Sequence, residues 1–112
     1  MISTEKQQFE QNINTYILNH LTEDLSVDRL CEHLHLSRRK IYEYSEEFLH
    51  CSIAKYIKKM RLQYAQTLLT KTILPISTIS EQCGFSDYNY FCRVFKQENG
   101  MSARSYRTAQ QT

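Results

Sequence analysis

Apolar residues recur at helical spacing along most of the chain. Near the start they stand four residues apart, which places them on one face of a helix: Phe9, Ile13, Ile17 and Leu21. Shorter stripes predict a second helix over about Val27 to Leu34 and a third over about Arg38 to Leu49. A further stripe stays on one face for five turns and predicts a long fourth helix, from about Ile53 to Lys71.

The positions between these stripes indicate where the helices begin and turn. Ser26, Ser37 and Ser52 precede the second, third and fourth helices, where a hydroxyl can accept a bond from a free backbone amide. His35 lies in the turn between the second and third helices, and histidine tolerates the left-handed backbone region better than most residues. Residues 1–7 and 108–112 are polar and are predicted to be tails.

Residues 76–96 have the layout of two short helices around a tight turn. The first ends at Gly84, which is free to adopt a left-handed backbone, and either Ser86 or Asp87 caps the second. The second helix has a buried stripe of Phe91, Val94 and Phe95, and we also assign Tyr90 mainly to the core. Its other face is polar and cationic: Tyr88, Asn89, Cys92, Arg93 and Lys96. This is the layout of a helix-turn-helix that reads DNA.

The same stretch resembles the C-terminal signature of the AraC/XylS family of bacterial transcription regulators. The matching runs are Gly84-Phe85-Ser86-Asp87, Tyr90-Phe91, Arg93-Val94-Phe95-Lys96, Gly100-Met101-Ser102 and Tyr106-Arg107. The resemblance implies an all-α, homeodomain-like fold of about seven helices, with two helix-turn-helix units joined by a long linking helix. We expect the first unit at residues 1–52, the linking helix at 53–71 and the second unit at 72–112, together forming one DNA-binding domain.

The resemblance also implies a function, sequence-specific binding of double-stranded DNA by a transcription regulator that is usually an activator. Two recognition helices would enter successive major-groove segments about 34 Å apart, and the DNA would bend where that spacing does not fit. The residues expected to contact DNA from the second recognition helix are Tyr88, Asn89, Cys92, Arg93 and Lys96. Those expected from the first are Arg38, Arg39, Lys40, Tyr42 and Glu43.

The polar side chains of the first recognition helix have different expected roles. Arg38 and Lys40 are predicted to contact phosphates, whereas Arg39, Tyr42 and Glu43 fall at groove-facing positions. Glu43 either accepts a hydrogen bond from cytosine N4 or pairs with Arg39 one helical turn back, and we favour the pair. Further phosphate contacts are expected outside the two recognition helices, from Ser52, Lys55, Lys58, Lys59 and Ser102. The alternative for the two serines is ordinary helix capping, and the alternative for the three lysines is a solvated basic face.

Charge distribution agrees with a larger role for the second half of the chain. The formal net charge of the whole chain is only +2. Residues 1–50 carry five Lys/Arg and nine Asp/Glu, a net −4, and residues 51–112 carry nine and three, a net +6. If the partner is DNA, the second half supplies more of the attraction to phosphate.

The remaining chemistry of the sequence is sparse. Cys31-Glu32-His33-Leu34-His35 resembles a metal-ligand run, but Cys31 and His33 face different ways on a helix and no Cys-x-x-Cys partner exists. We expect no metal, no cofactor and no catalytic residue. Cys51, Cys83 and Cys92 are expected to be reduced. No apolar run approaches a membrane span and no signal peptide opens the chain, so we expect no membrane contact and a cytoplasmic, nucleoid-associated protein.

Two other functions compete with DNA reading. Departures from the family pattern at His35, Ser45 and His50, together with Glu43, favour a protein-interaction module of the same fold that contacts RNA polymerase or another regulator. A small enzyme is the other alternative. RNA polymerase is also a candidate partner of a DNA-binding regulator, and many family members attach an effector-sensing or receiver domain, which a longer parent chain would carry.

Overall fold

The fold is assembled from α-helices joined by short turns. The computed structural model describes residues 4–111, and within that range it contains seven α-helices and no β-strand. They run, in chain order, α1 Thr4–Asn19, α2 Val27–Leu34, α3 Arg38–Tyr44, α4 Ile53–Lys71, α5 Ile76–Gln82, α6 Tyr88–Asn99 and α7 Ala103–Gln110. The predicted all-α class is therefore confirmed. The chain divides into two compact units between Met60 and Arg61, inside α4.

The bounds of the helices agree with the sequence pattern in the middle of the chain and differ at its ends. α4 covers the predicted range, whereas the prediction of tails is wrong for residues 4–7 and 108–110, which belong to α1 and α7. These residues include good helix formers, and extending an existing helix costs much less than starting one. Residues 1–3 and 112 of the predicted tails, and of the predicted domains, lie outside the described residues. The division at residues 52 and 71 remains a prediction.

The first unit is held by the apolar faces of α1 to α3 and of the first turns of α4. The spacing-four stripe of α1 is buried, as predicted, with Ile13 and Ile17 fully enclosed. Leu30 from α2 and Ile41 from α3 are equally buried. The predicted caps are present: Ser26 Oγ accepts from the Arg29 amide at 3.2 Å, and Ser37 Oγ accepts from the Lys40 amide at 3.0 Å.

Two histidines take the backbone conformation that glycine usually supplies. His35 after α2 has φ 56° and His50 has φ 58°, and no other non-glycine residue between 4 and 111 has a positive φ. The Leu36 amide donates to the Cys31 carbonyl at 3.2 Å and so closes the turn after α2. The left-handed turn predicted at His35 is confirmed, and the first helix-turn-helix keeps its tight connection without glycine.

α3 is shorter than the sequence predicts because the chain widens into a π-helical turn over Ser45–Leu49. Ser45 is buried, and its hydroxyl donates to the Tyr42 carbonyl at 3.0 Å. Its amide is shared between the carbonyls of Ile41 and Tyr42. A serine hydroxyl in this position competes with the backbone ladder, and such competition is a recognised cause of local helix distortion. Phe48, in the π-helical turn, is only half-buried and packs against Tyr44 at 4.9 Å between ring centroids.

The second unit has an aromatic core. Phe91 contacts Phe85 at 5.1 Å and Phe95 at 5.7 Å between ring centroids, and Phe95 meets Tyr106 edge-on at 5.6 Å. Arg107 joins α7 to the end of α4, because its guanidinium donates to the carbonyl of Leu69 at 3.2 Å and to that of Thr72 at 3.3 Å. These contacts bring the two ends of the unit together.

The turns of the second unit follow the predicted chemistry. Gly84 has φ 93° between α5 and α6, and Gly100 has φ 75° after α6. Of the two predicted caps for α6, Asp87 is the one used, since its Oδ1 accepts from the Tyr90 amide at 3.1 Å. Ser102 Oγ accepts from the Ser105 amide at 3.0 Å and so caps α7.

None of the helices between residues 4 and 111 combines the length and the hydrophobicity that a membrane crossing requires. Even α4, with 19 residues, carries charged side chains along its length.

One buried hydroxyl in the core of the second unit has no partner. Ser80 lies on α5 and is 1% exposed, and within the described range its Oγ makes no hydrogen bond. We expect Ser80→Ala to raise the free energy of unfolding by about 1 kcal/mol, because the variant removes an unpaired buried polar group. Ser77→Ala, on an exposed position of the same helix, is the matched control. Urea unfolding followed by circular dichroism measures both, and equal values for the two variants would contradict the expectation.

Candidate nucleic-acid interface

The first candidate surface is the solvent side of α3. Burial of Ile41 fixes the rotation of this helix, so the residues on its other sides face outward. All five side chains predicted to contact DNA from this helix are exposed: Arg38, Arg39, Lys40, Tyr42 and Glu43. Four of them, together with Glu46 of the π-helical turn, line one shallow depression; Lys40 lies outside it. The structure therefore brings most of the first predicted set together.

Arg38 is engaged within the first unit. Its guanidinium forms an ion pair with Asp28 of α2 and donates to the Tyr42 hydroxyl at 3.2 Å. The hydrogen bonds to Tyr42 and Asp28 raise the pKa of Arg38 further above its ordinary value. Both charged partners remain more than half exposed, so the pair lies at the surface and can exchange with solvent.

Glu43 occupies the centre of the charges on α3. Its Oε1 accepts from Arg39 Nε at 3.2 Å, and its Oε2 lies 3.7 Å from Lys40 Nζ. The predicted pair between Glu43 and Arg39 is thus present, and Lys40 is a second partner that the sequence reasoning missed. The i,i+3 spacing of Lys40 and Glu43 could have indicated it.

The second candidate surface is the solvent side of α6. Burial of Phe91, Val94 and Phe95 leaves most of the predicted DNA-contacting residues exposed: Tyr88, Asn89, Arg93 and Lys96. Cys92 is half-buried, and its hydrogen bond with Tyr88 raises the pKa of the tyrosine. Within the described part of the chain neither Arg93 nor Lys96 has an acidic partner, in contrast to the cations of α3.

The assignment of Tyr90 to the core is wrong. The side chain is 39% exposed, and the Arg93 guanidinium carbon lies over its ring, 5.3 Å from the centroid. Successive residues of an α-helix are 100° apart, so Tyr90 lies on the flank of the stripe centred near Phe91. Tyr90 therefore belongs to the exposed surface, where it supports Arg93 through a cation–π contact.

The phosphate candidates outside the recognition helices have mixed positions. Ser52, Lys55 and Lys59 are exposed, whereas Lys58 and Ser102 are half-buried. Ser52 Oγ caps α4 by accepting from the Lys55 amide at 3.2 Å. The hydroxyls of both serines thus serve as caps, and the amides of the first helical turns remain as donors toward an anion.

A groove beside α6 contains a cation that the sequence reasoning left out. Tyr88, Cys92, Ser102 and Arg104 line it together, and Arg104 is exposed. Arg104 follows the predicted cap Ser102 by two residues, so its place in the first turn of α7 could have indicated a role. Arg107 also lines the groove, but it is half-buried and its guanidinium donates to the carbonyls of Leu69 and Thr72. Arg104 is therefore the exposed cation that the groove adds to the second surface.

Both surfaces are suited to hydrogen bonding with an acidic, grooved partner. They present guanidinium, amide, hydroxyl and ammonium groups on helices whose rotation is fixed by buried apolar residues.

Among residues 4–111 no group of three or more His, Cys, Asp or Glu side chains is placed to hold a metal ion. All four cysteines are free thiols, and burial raises the pKa of Cys83 to about 12.

Comparison with known proteins points to one family. A family model described as a helix-turn-helix domain matches residues 30–109. The chain is 32% identical over 105 residues to the HTH-type transcriptional activator RhaR of Salmonella dublin. The aligned residues make up 94% of this chain and 37% of the relative. The chain therefore spans little more than a third of the length of the curated relatives it matches.

Solved structures agree with the fold. The C-terminal domain of AraT, a response regulator from Geobacillus stearothermophilus, superposes with a TM-score of 0.78 at 29% identity, over 96% of this chain and 86% of that one. A Chromobacterium violaceum regulator with an AraC-type DNA-binding domain superposes with a TM-score of 0.87 at 24% identity, over 96% of each chain. The chain belongs to the AraC-type helix-turn-helix family of transcription regulators.

Proposed function

We propose that this chain is the sequence-specific DNA-binding part of a transcription regulator, and that α3 and α6 are its two recognition helices. The observation that carries the proposal is the pair of capped helices, each with a buried apolar stripe and an exposed face of hydrogen-bond donors. Successive major-groove segments on one side of B-DNA are about 34 Å apart, and one chain would occupy two of them, bending the DNA where the fit requires it.

α6 is proposed to read bases. Arg93 has the geometry to bond guanine through both donors of its guanidinium, and Asn89 to bond adenine. The ring of Tyr90 beneath Arg93 restricts the motion of the guanidinium and so favours a defined direction of approach. Tyr88, Cys92 and Lys96 complete the contact surface, and Arg104 adds attraction toward the adjacent phosphate.

α3 is proposed to read a second segment with Arg39 and Tyr42. Arg38 and Lys40 are assigned to phosphates, which position the helix without carrying sequence information. Ser52, Lys55, Lys58, Lys59 and Ser102 are proposed as further backbone contacts, through the free amides at the starts of α4 and α7 and through the lysine side chains.

The parent protein is proposed to be a transcription activator that works in the cytoplasm on the nucleoid. The similarity to RhaR, which is named as a transcriptional activator, supports activation, with RNA polymerase as the further partner. The similarity to the C-terminal domain of a response regulator supports a longer parent chain with an effector or receiver domain.

One observation favours a second function. Counting Arg38, Arg39 and Lys40 against Asp28, Glu43 and Glu46, the surface of α3 is formally neutral. A neutral surface suits contact with another protein as well as contact with DNA. In that case the first unit would bind polymerase or a second regulator while reading little DNA.

The decisive experiment is selection of bound duplexes from a random library at near-physiological salt. We expect a motif with two parts about one helical turn apart, because two recognition helices enter successive groove segments. A motif with one part would assign base reading to one unit alone. No enrichment, with no binding at low salt, would contradict DNA reading and favour the protein-interaction function.

Arg93→Ala tests the base contact assigned to α6. We expect a loss of affinity for the selected duplex of roughly 5- to 150-fold, equivalent to about 1–3 kcal/mol for a bidentate base contact, with unchanged helicity. Fluorescence anisotropy on selected and random duplexes measures the effect. Arg29→Ala is the control, because Arg29 pairs with Glu23 and is not among the residues proposed to contact DNA. Equal affinities for the wild type and the Arg93 variant would remove Arg93 from the interface.

Thiol alkylation tests the position of α6 against DNA. We expect the selected duplex to slow alkylation of Cys92, while Cys31 on α2, which is also half-buried, reacts equally with and without DNA. Cys83 stays unmodified in both cases at pH 8, since it is fully buried and its pKa is raised to about 12. Mass spectrometry of the alkylated peptides reads each cysteine separately. Equal rates at Cys92 with and without bound DNA would place α6 outside the interface.

A further inference from the structure

The cationic side chains of the two proposed recognition helices differ in whether an acidic side chain pairs with them. On α3 every cation has an acidic partner: Arg38 pairs with Asp28, and both Arg39 and Lys40 pair with Glu43. On α6, within the described residues, Arg93 and Lys96 have none. Free cations attract the phosphates of any DNA sequence, whereas paired cations present a much weaker field at distances beyond the pair.

Glu43 is the residue that links most of these charges on α3. One carboxylate oxygen faces Arg39 at 3.2 Å and the other faces Lys40 at 3.7 Å, so a single side chain holds two cations. The Arg39 side chain is 90% exposed and Glu43 is half-exposed. Exposed ion pairs of this kind contribute little to folding stability, so stability alone does not account for a carboxylate on a surface proposed to face DNA.

We propose that Glu43 is a specificity-determining residue that suppresses binding of the first unit to DNA of arbitrary sequence. This inference rests on the proposed function of α3. While Glu43 holds Arg39 and Lys40, contact with phosphates alone must either break both pairs or bring the carboxylate close to phosphate charge.

A matching sequence offers compensation that random DNA lacks. Where a cytosine amino group lies opposite Glu43, the carboxylate gains a donor, and Arg39 and Lys40 are released toward a base or a phosphate. Where no such donor is present, the carboxylate stays unpaired against phosphate charge or keeps its cations. Specificity is a difference between two affinities, and Glu43 increases that difference by weakening the wrong complexes.

The test compares the wild type with Glu43→Gln on a random-sequence duplex, with salt varied from about 50 to 200 mM. We expect the variant to bind roughly three- to thirtyfold more tightly at the lowest salt. The slope of log K against log salt should steepen by about 1 to 2, since each newly neutralised phosphate contributes about 0.9. On the selected duplex the gain should be smaller, so that the ratio of specific to random affinity falls.

Glu32→Gln is the matched control, because it makes the same change of charge at an exposed position of α2 that forms no ion pair within the described residues. We expect its salt slope to equal that of the wild type. The double variant Arg39→Gln, Glu43→Gln should lose about one unit of the added slope, which identifies Arg39 as a released cation. A thermal melt by circular dichroism confirms that each variant is folded.

The outcomes separate this inference from the function on which it rests. Binding by the wild type with an unchanged slope in Glu43→Gln would overturn the role of Glu43 and leave DNA reading intact. An equal gain in Glu32→Gln would also overturn it, because net charge alone would then explain the effect. Failure of every variant to bind either duplex at low salt would overturn the proposed function and this inference together.

Discussion

Burial of Phe91 and Phe95 fixes the rotation of α6 about its own axis, and the surface that the second unit offers depends on that rotation. Both rings are fully enclosed, and they contact Phe85 and Tyr106 on either side. A rotation of one residue, about 100°, would bury Asn89 or Arg93 and expose an aromatic ring. The cost of exposing such a ring or burying such a charge excludes that alternative. The exposed donors of α6 are therefore held in place by a buried core.

The turns impose a second constraint, since a helix-turn-helix needs a tight connection between its helices. Glycine at φ 93° supplies it in the second unit, and histidine at φ 56° supplies it in the first. A left-handed residue with a side chain is strained by about 1–2 kcal/mol relative to a right-handed one, so the buried stripes on both sides must hold the turn in place. Leu30 before the turn and Ile41 after it are both fully buried, which explains how the first unit tolerates His35.

The sequence predicted the parts of the fold that depend on periodicity and capping. Repeated spacing located α4 at both ends, and the serines before α2, α3, α4 and α7 cap as expected, because these signals act within a few residues.

Prediction from the sequence failed where the outcome depends on tertiary packing. The π-helical turn begins at Ser45, whose buried hydroxyl donates to the Tyr42 carbonyl, and no local pattern in the sequence predicts it. Tyr90 was misplaced because a residue on the flank of a stripe can be buried or exposed, according to what packs beside it. The candidate surfaces were found as sets of residues. The i,i+3 spacing allowed a pair between Lys40 and Glu43, but the place of Arg104 beside Tyr88 depends on how α7 packs against α6.

The unequal charges of the two helices have a physical rationale in the competition that a DNA-binding protein faces. Attraction to phosphate is independent of sequence, so every free cation strengthens the complexes with wrong sites as much as the complex with the right one. A protein with two cationic reading helices would gain affinity everywhere and lose discrimination. Here Arg93 and Lys96 of the second unit have no acidic partner among residues 4–111, and the second half of the chain has a formal excess of positive charge, which suits this unit to supply affinity. The first unit holds its cations in surface pairs that cost little to form and little to break. With the proposed role of Glu43, such a surface would contribute binding energy only where the bases compensate for the carboxylate, and its contribution would be conditional on sequence.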